Sequence, residues 1–477
     1  MREKGSILKN IFTFGVSSAT MGFLLLLAVV AARILGPEDF GVFSFALAFV
    51  FFFDFLLDPG LYHLVIREVA RDKSKTGDYL LHMLLWKLAV IPVAFLLIAI
   101  IVNILHDDKT IHHAVYLMAV SSFIKSLKDV YRSGLLAHEK FVIEAVSSVI
   151  EKGGLLIFGS LALFLDYGLY GLCWAFVLVR AVDLAVIHFL SRHDVEFARG
   201  GVNLDMVKQL LKTGVPIGAY YVTLNLYNYI DSVMISVMRG SEEVGLYSAS
   251  YKIYEGLLII PIVIGTVMLP RLSASLGDQN RGEFNELVTQ GWKYSLIVAL
   301  CVTAFGVPLA YELTELFYGN QYIRSAVTLQ ILFFGVIVAY MVNFLQTVMI
   351  SAHMQNKLVV IAMSGLVMNV AINYFAIRSH GYVGAAAVTV LVESIVFLML
   401  GYYIVRLSAG AAFVGGLLKI IVCWVVSAAP VLLVLDDMPR YMSSGLWVAG
   451  FVLLLRAVNV VTDQEWRHIA SVFQGAK

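Results

Sequence analysis

The sequence predicts an all-α, polytopic helical membrane protein of about 14 transmembrane helices, two six-helix lobes related by a parallel repeat plus two C-terminal helices. Three observations carry this. Of 477 residues, 60% are hydrophobic and 14% are charged, against about 25% charged in a soluble domain. Mean hydropathy is +0.85, and apolar runs of about 20 residues recur along the whole chain. The third observation is a duplicated turn. Gly36-Pro37-Glu38-Asp39-Phe40-Gly41-Val42-Phe43-Ser44 returns as Gly240-Ser241-Glu242-Glu243-Val244-Gly245-Leu246-Tyr247-Ser248, 204 residues later. Arg67 and Arg271 keep the same offset. A repeated turn at this distance means a duplicated half.

Each copy lies between two long apolar runs and reads as a tight helix-to-helix turn. The glycines allow backbone angles that a side chain resists. The acidic pair falls in the first turn of the next helix, where the positive end of the helix dipole favours it. The spans are expected near 10–35, 40–66, 79–105, 111–137, 141–165, 168–190, 213–238, 244–270, 286–310, 323–351, 357–378, 382–406, 413–435 and 441–461. The first run is too long for a signal-peptide core and is read as a retained span.

Further echoes extend the repeat. Ala137-His138 returns as Ala352-His353, and Gly168-Leu169-Tyr170-Gly171 as Gly381-Tyr382-Val383-Gly384, at offsets of 215 and 213. The second half therefore carries a small insertion, expected in the polar stretch Ser273 to Glu286. Spans 1–6 then match spans 7–12 in the same direction. The expected organisation is an N-terminal lobe over 1–192, a linker over 193–212, a second lobe over 213–407, and two extra helices with a tail over 408–477. A short interfacial helix is expected from Leu204 to Leu211. Lys and Arg cluster in the segments that lie inside if the N-terminus is inside, as at Arg67, Arg71, Lys73 and Lys75. Both termini are therefore expected in the cytoplasm, and the repeated turns on the outer face.

Charged residues inside spans are costly and usually face a bundle interior or a wet cavity. Lys125, Lys128 and Arg132 step by three and four, so they make one basic stripe. Two readings compete. In one, the charges are internal salt bridges and snorkelling ends, which suits Lys125, Glu144, Glu151 and Lys152 near the inner face. In the other, Lys87, Arg132, Arg180 and Lys252 line a cationic cavity for an anionic or sugar-bearing head group, because Lys and Arg match phosphate oxygens. Asp58, Asp231, Glu255 and Glu393 are candidates for ion coupling or gating. Pro59 and Gly60 should break span 2 and could serve as a hinge. Cys173, Cys301 and Cys423 form no metal pattern or disulfide framework. No phosphate-binding glycine loop, zinc pattern or serine elbow appears, so no enzyme activity, metal or cofactor is expected beyond a coupling cation or proton.

The run Arg33-Ile34-Leu35-Gly36-Pro37-Glu38-Asp39-Phe40-Gly41-Val42-Phe43 resembles the first outer loop of polysaccharide-biosynthesis membrane proteins. So do Gly214-Val215-Pro216, Asp231-Ser232, Val244 to Lys252, Leu269-Pro270-Arg271-Leu272 and Gly381-Tyr382-Val383-Gly384-Ala385-Ala386. That superfamily includes O-antigen-type flippases for lipid-linked oligosaccharides, the lipid II flippase and multidrug exporters. The resemblance implies two lobes around a central cavity and alternating access. It implies basic cavity residues that engage the pyrophosphate of a polyprenyl-linked substrate, a role carried here to Lys252. It also allows the last two helices to form a groove for the lipid tail. The expected partners are a lipid-linked oligosaccharide and membrane lipids, with a glycan polymerase or ligase as a candidate neighbour. No nucleic acid partner is expected, and monomer is the default. The expected function is flipping in polysaccharide biosynthesis at the cytoplasmic membrane. An ion-coupled multidrug exporter or a lipid II flippase is the alternative.

Overall fold

A computed structural model describes residues 20–192, 197–198, 201, 203–277, 280–407, 411–434, 439–461 and 465. Among these residues there is helix and no strand. In chain order the helices are α1 (Met21–Phe51), α2 (Asp54–Leu57), α3 (Leu61–Arg71), α4 (Thr76–Leu105), α5 (Lys109–Ala137), α6 (Phe141–Phe164) and α7 (Gly168–Ser191). They continue as α8 (Leu204–Arg239), α9 (Ser241–Leu257), α10 (Ile259–Gly277), α11 (Arg281–Tyr318), α12 (Ser325–Ser351), α13 (Gln355–Leu407), α14 (Ala411–Val434) and α15 (Arg440–Ala457). Seven helical segments among the described residues are long and apolar enough to cross a membrane, including Gly22–Leu57 and Gln355–Leu407. Residues 10–19 of the expected first span lie outside the described residues.

The duplication is written in the backbone. Gly36 (φ 77°, ψ 174°) breaks α1, and Gly240 (φ 93°, ψ 178°) separates α8 from α9. Gly168 and Gly381 take φ 56° and 58° at the start of α7 and at the break within α13. These left-handed angles are where glycine costs least.

Two expectations need correction. The extra residues of the second half are not in the stretch Ser273 to Glu286. Thr76 and Arg281 begin α4 and α11 at an offset of 205, but Leu105 and Tyr318 end them at 213. The insertion lengthens a helix, 38 residues against 30, and that helix runs on through Pro308. Nor is Leu204–Leu211 a separate interfacial helix. It is the first part of the 36-residue α8. Asn203 caps that start by accepting from the Asp205 and Met206 N–H groups, and its own N–H donates to the His82 ring at 3.0 Å. Leu210 is buried with Leu64, Val65, Leu80 and Ile187.

The chain forms two compact units. One is Met1–Lys252 with Val370–Ala385, and the other is Ile253–Asn369 with Ala386–Lys477. In the first unit, the amphipathic α3 buries Leu61, Leu64, Val65 and Val69 against α4, α5 and α7. Gly214 and Gly218 of α8 form a small-xxx-small face against the Pro59-Gly60 backbone. Gly60 has φ 85°. The Trp86 indole N–H donates to the Leu56 carbonyl freed at this break (3.2 Å).

In the second unit, the Thr303 hydroxyl joins α11 to α12 through the Phe333 carbonyl at 2.8 Å. α14 and α15 lie against α11. Trp424 donates to the Leu300 carbonyl at 3.0 Å, and its ring meets Trp447 at 4.9 Å. Lys293 pairs with Glu465 at 2.5 Å, which ties the chain beyond α15 to α11.

Candidate functional site

Most of the buried charge of the first unit forms three ion-pair clusters on α2 to α7. The first begins at the Asp58-Pro59-Gly60 break. Asp58 accepts from the Tyr62 N–H at 3.0 Å, which satisfies an orphan donor at the start of α3. Its other oxygen accepts from Lys87 at 3.0 Å. The Lys87 ammonium also donates to the Ser126 carbonyl (3.0 Å) and hydroxyl (2.9 Å). All three of its protons are used, and the residue is 0% exposed.

One turn further along the α5 stripe, Lys128 pairs with Glu151 of α6 and, at 2.8 Å, with Asp183 of α7. Asp183 also accepts from the Ser147 hydroxyl at 2.7 Å. Arg180 reaches Glu151 at 3.3 Å and the Ser121 hydroxyl at 3.0 Å. Arg132 makes a two-pronged contact with the buried Glu144, at 3.1 and 2.7 Å. Such pairing is what the low dielectric demands, since an unpaired buried charge costs several kcal/mol.

Lys125 is different. Its ammonium has no carboxylate within 4.0 Å among the described residues and sits over the Phe51 ring at 5.5 Å. With Arg180 it lines a small pocket whose other walls are Leu47, Val50, Phe51, Met118 and Ser122. Phe51 stacks on Tyr229 of α8, 4.8 Å away and 5° from parallel. Asp54, held by the Ser122 hydroxyl at 2.8 Å, is the carboxylate beside this wall. The site is therefore a cationic pocket with aromatic and aliphatic walls, backed by a salt-bridged layer that fixes Arg180.

Of the residues singled out from sequence, Arg180 lines the pocket. Lys87 and Asp58, read in separate roles, are one ion pair. Arg132 is held by Glu144. Lys252 and Glu255 both lie half-buried on α9. Asp231 is buried, accepting from the Tyr247 hydroxyl and the Asn373 side-chain amide, both at 2.8 Å. Glu393 belongs to the second unit, where both its oxygens accept from the Tyr254 hydroxyl at 3.0 and 2.9 Å. At the repeat offset of 213 Glu393 is the counterpart of Arg180, so the duplicated scaffold carries opposite charges at that position. Sequence reasoning set Lys125 aside as an inner-face residue. The signal that finds it is the serine series Ser121, Ser122 and Ser126, which supplies partners to the charges around it.

Comparison with known proteins places this site in a family. The family described as "Polysaccharide biosynthesis protein" matches residues 7–276, and MatE matches residues 216–375. A Shigella flexneri protein named "Putative O-antigen transporter" is 26% identical over 79% of this chain and 91% of its own. The capsular polysaccharide biosynthesis protein CapF of Staphylococcus aureus is 24% identical over 82% of this chain and 96% of its own. Among solved structures, the lipid II flippase MurJ in an inward closed conformation aligns with a TM-score of 0.78 at 15% identity, covering 93% of this chain and 98% of that one. An inward-facing multidrug-resistance MATE transporter aligns at 0.69 and 15%, covering 85% and 99%. These two likenesses establish the fold. With its family matched over more than half of its length, the chain belongs to the polysaccharide biosynthesis proteins, a multi-pass membrane family.

Proposed function

We propose that this protein flips a lipid-linked oligosaccharide, carried on a polyprenyl pyrophosphate, from the cytoplasmic to the outer leaflet of the cytoplasmic membrane. The single observation that carries the reading is the Lys125 ammonium, lining a pocket beside Arg180 with no carboxylate at ion-pair distance among the described residues. A pyrophosphate cannot enter hydrocarbon unaided, and two convergent cations match its oxygens. The lipid tail stays in the bilayer. The relatives named for O-antigen transport and capsular polysaccharide biosynthesis support the same substrate class. For a coupling proton or cation, Asp231 is the carboxylate best placed in the first unit, held between Tyr247 and Asn373.

The test is flipping in proteoliposomes with a fluorescent polyprenyl-pyrophosphate oligosaccharide and an external quencher or glycosidase. Protein-dependent flipping that Lys125→Gln and Arg180→Gln each reduce at least tenfold supports the reading. Flipping that survives both substitutions overturns the site. The MatE match favours a second reading, export of organic cations. Ion-driven export of such cations, with no flipping of any lipid-linked glycan, would put that reading in its place.

A further inference from the structure

The duplicated turn has a role beyond connecting helices. Its two copies pack on each other within the first unit. A Cβ on Gly41 would collide with the carbonyl oxygen of Ser241 and the backbone nitrogen of Gly245. A Cβ on Gly245 would collide with the carbonyl oxygen and Cα of Pro37. At the repeat offset of 204, Pro37 corresponds to Ser241 and Gly41 to Gly245. The contact is therefore reciprocal: each copy's glycine receives the other copy's second residue. This is an isologous interface formed inside one chain, and backbone meets backbone, so no side chain can swing aside.

We infer that the repeated turn is a self-complementary latch, Gly41 on Ser241 and Gly245 on Pro37, that seals one end of the seam between α1 and α9 and parts when that end opens. The face below it is closed. Ser248 is one turn past Gly245 and 6% exposed, and Phe40, Val42, Val244 and Leu246 are buried around the contact. Ten residues separate Gly41 from Phe51 of the pocket, about 15 Å along a helix. The latch thus stands one helical path above the Lys125 pocket. That this end faces outward rests on the topology proposed above.

The experiment uses the full chain with Cys173, Cys301 and Cys423 replaced by alanine, and Ser248→Cys as the single thiol. A membrane-impermeant maleimide is added to right-side-out and to inverted vesicles. The parent should label slowly from outside. Gly41→Ala or Gly245→Ala should raise that rate at least tenfold, whereas Gly22→Ala, which meets nothing within 4 Å, should leave it unchanged. Unchanged labelling in both latch variants, with native elution, overturns the proposal. Acceleration only in inverted vesicles keeps the latch and reverses the topology. Should the glycine variants not fold, a Pro37→Cys, Ser241→Cys pair decides. Joining it with a short bifunctional thiol reagent should cut Ser248→Cys labelling at least tenfold, and a cleavable reagent should restore it on reduction. A cross-link that leaves labelling unchanged overturns the latch. If the latch behaves as stated but no lipid-linked glycan is flipped, the latch stands and the substrate reading falls.

Discussion

Asp58 and Lys87 close an ion pair at 3.0 Å across the break between α2 and α3, and the lysine has no exposed surface. The pair holds the bend because Asp58 also caps α3 through the Tyr62 N–H. Lys87→Met should destabilise the protein by about 3–5 kcal/mol, the cost of stranding a buried charge. Adding Asp58→Asn keeps a capping oxygen, removes the stranded charge and should recover most of the loss. Thermal unfolding in detergent checks both.

Lys125 and Lys128 sit one turn apart on α5, and their removal should have opposite signatures. Lys125→Gln breaks no ion pair within 4.0 Å among the described residues, so it should cost less stability than Lys128→Gln while flipping falls at least tenfold. Lys128→Gln leaves Glu151 and Asp183 without their shared cation and should cost about 3–5 kcal/mol. Equal stability losses in the two variants would contradict the division between pocket and scaffold.

Gly218→Ala should be poorly tolerated. Its Cβ would strike the Pro59 carbonyl carbon and the Gly60 nitrogen, and overpacking against backbone costs about 1–3 kcal/mol. Gly401→Ala meets nothing within 4 Å and should be neutral or gain up to about 1 kcal/mol from helix propensity. The contrast in unfolding temperature is the measurement.

His106 follows the end of α4, edge-on to Phe45 at 4.8 Å and 3.3 Å from the Ser236 hydroxyl. Burial holds its pKa below the usual 6.5, and His112 adds to this, while Asp108 and Asp107 oppose it. The folded state therefore binds the proton less readily than the unfolded chain. Stability at this contact is present above 6.5 and declines as pH falls from 6.5 toward the lowered value. Because Phe45 lies one turn past Gly41, external labelling of Ser248→Cys should rise as pH drops below about 6.5. His106→Gln should flatten that dependence.

The helical class, the two turns at Gly36 and Gly240 and the break at Pro59-Gly60 were legible because each depends on local chemistry: apolar length, a positive φ, a missing N–H. The partners of the charges were not. Spacing of three and four places Lys125, Lys128 and Arg132 on one face of α5, yet the same spacing suits a wet cavity and a dry salt bridge. Which one forms depends on Glu151 and Asp183 arriving from α6 and α7, and that is tertiary information. The pairing of Asp58 with Lys87 was hidden in the same way, with 29 residues between them. The length of α11 escaped because polar residues near Arg281 resemble a loop when read without their helical neighbours.

The balance of the charge layer has an electrical consequence. Lys87, Lys128, Arg132 and Arg180 each have a carboxylate at ion-pair distance, from Asp58, Glu151, Asp183 and Glu144. Shifting such a neutral layer across a voltage does little work, whereas each uncompensated charge carried through 100 mV involves about 2.3 kcal/mol. Lys125 is the charge left over, so an empty protein that carries it through the field should rearrange at a rate that depends on the membrane voltage. An anion seated beside Lys125 offsets that charge, and the voltage dependence should then change in step with the net charge of the loaded pocket.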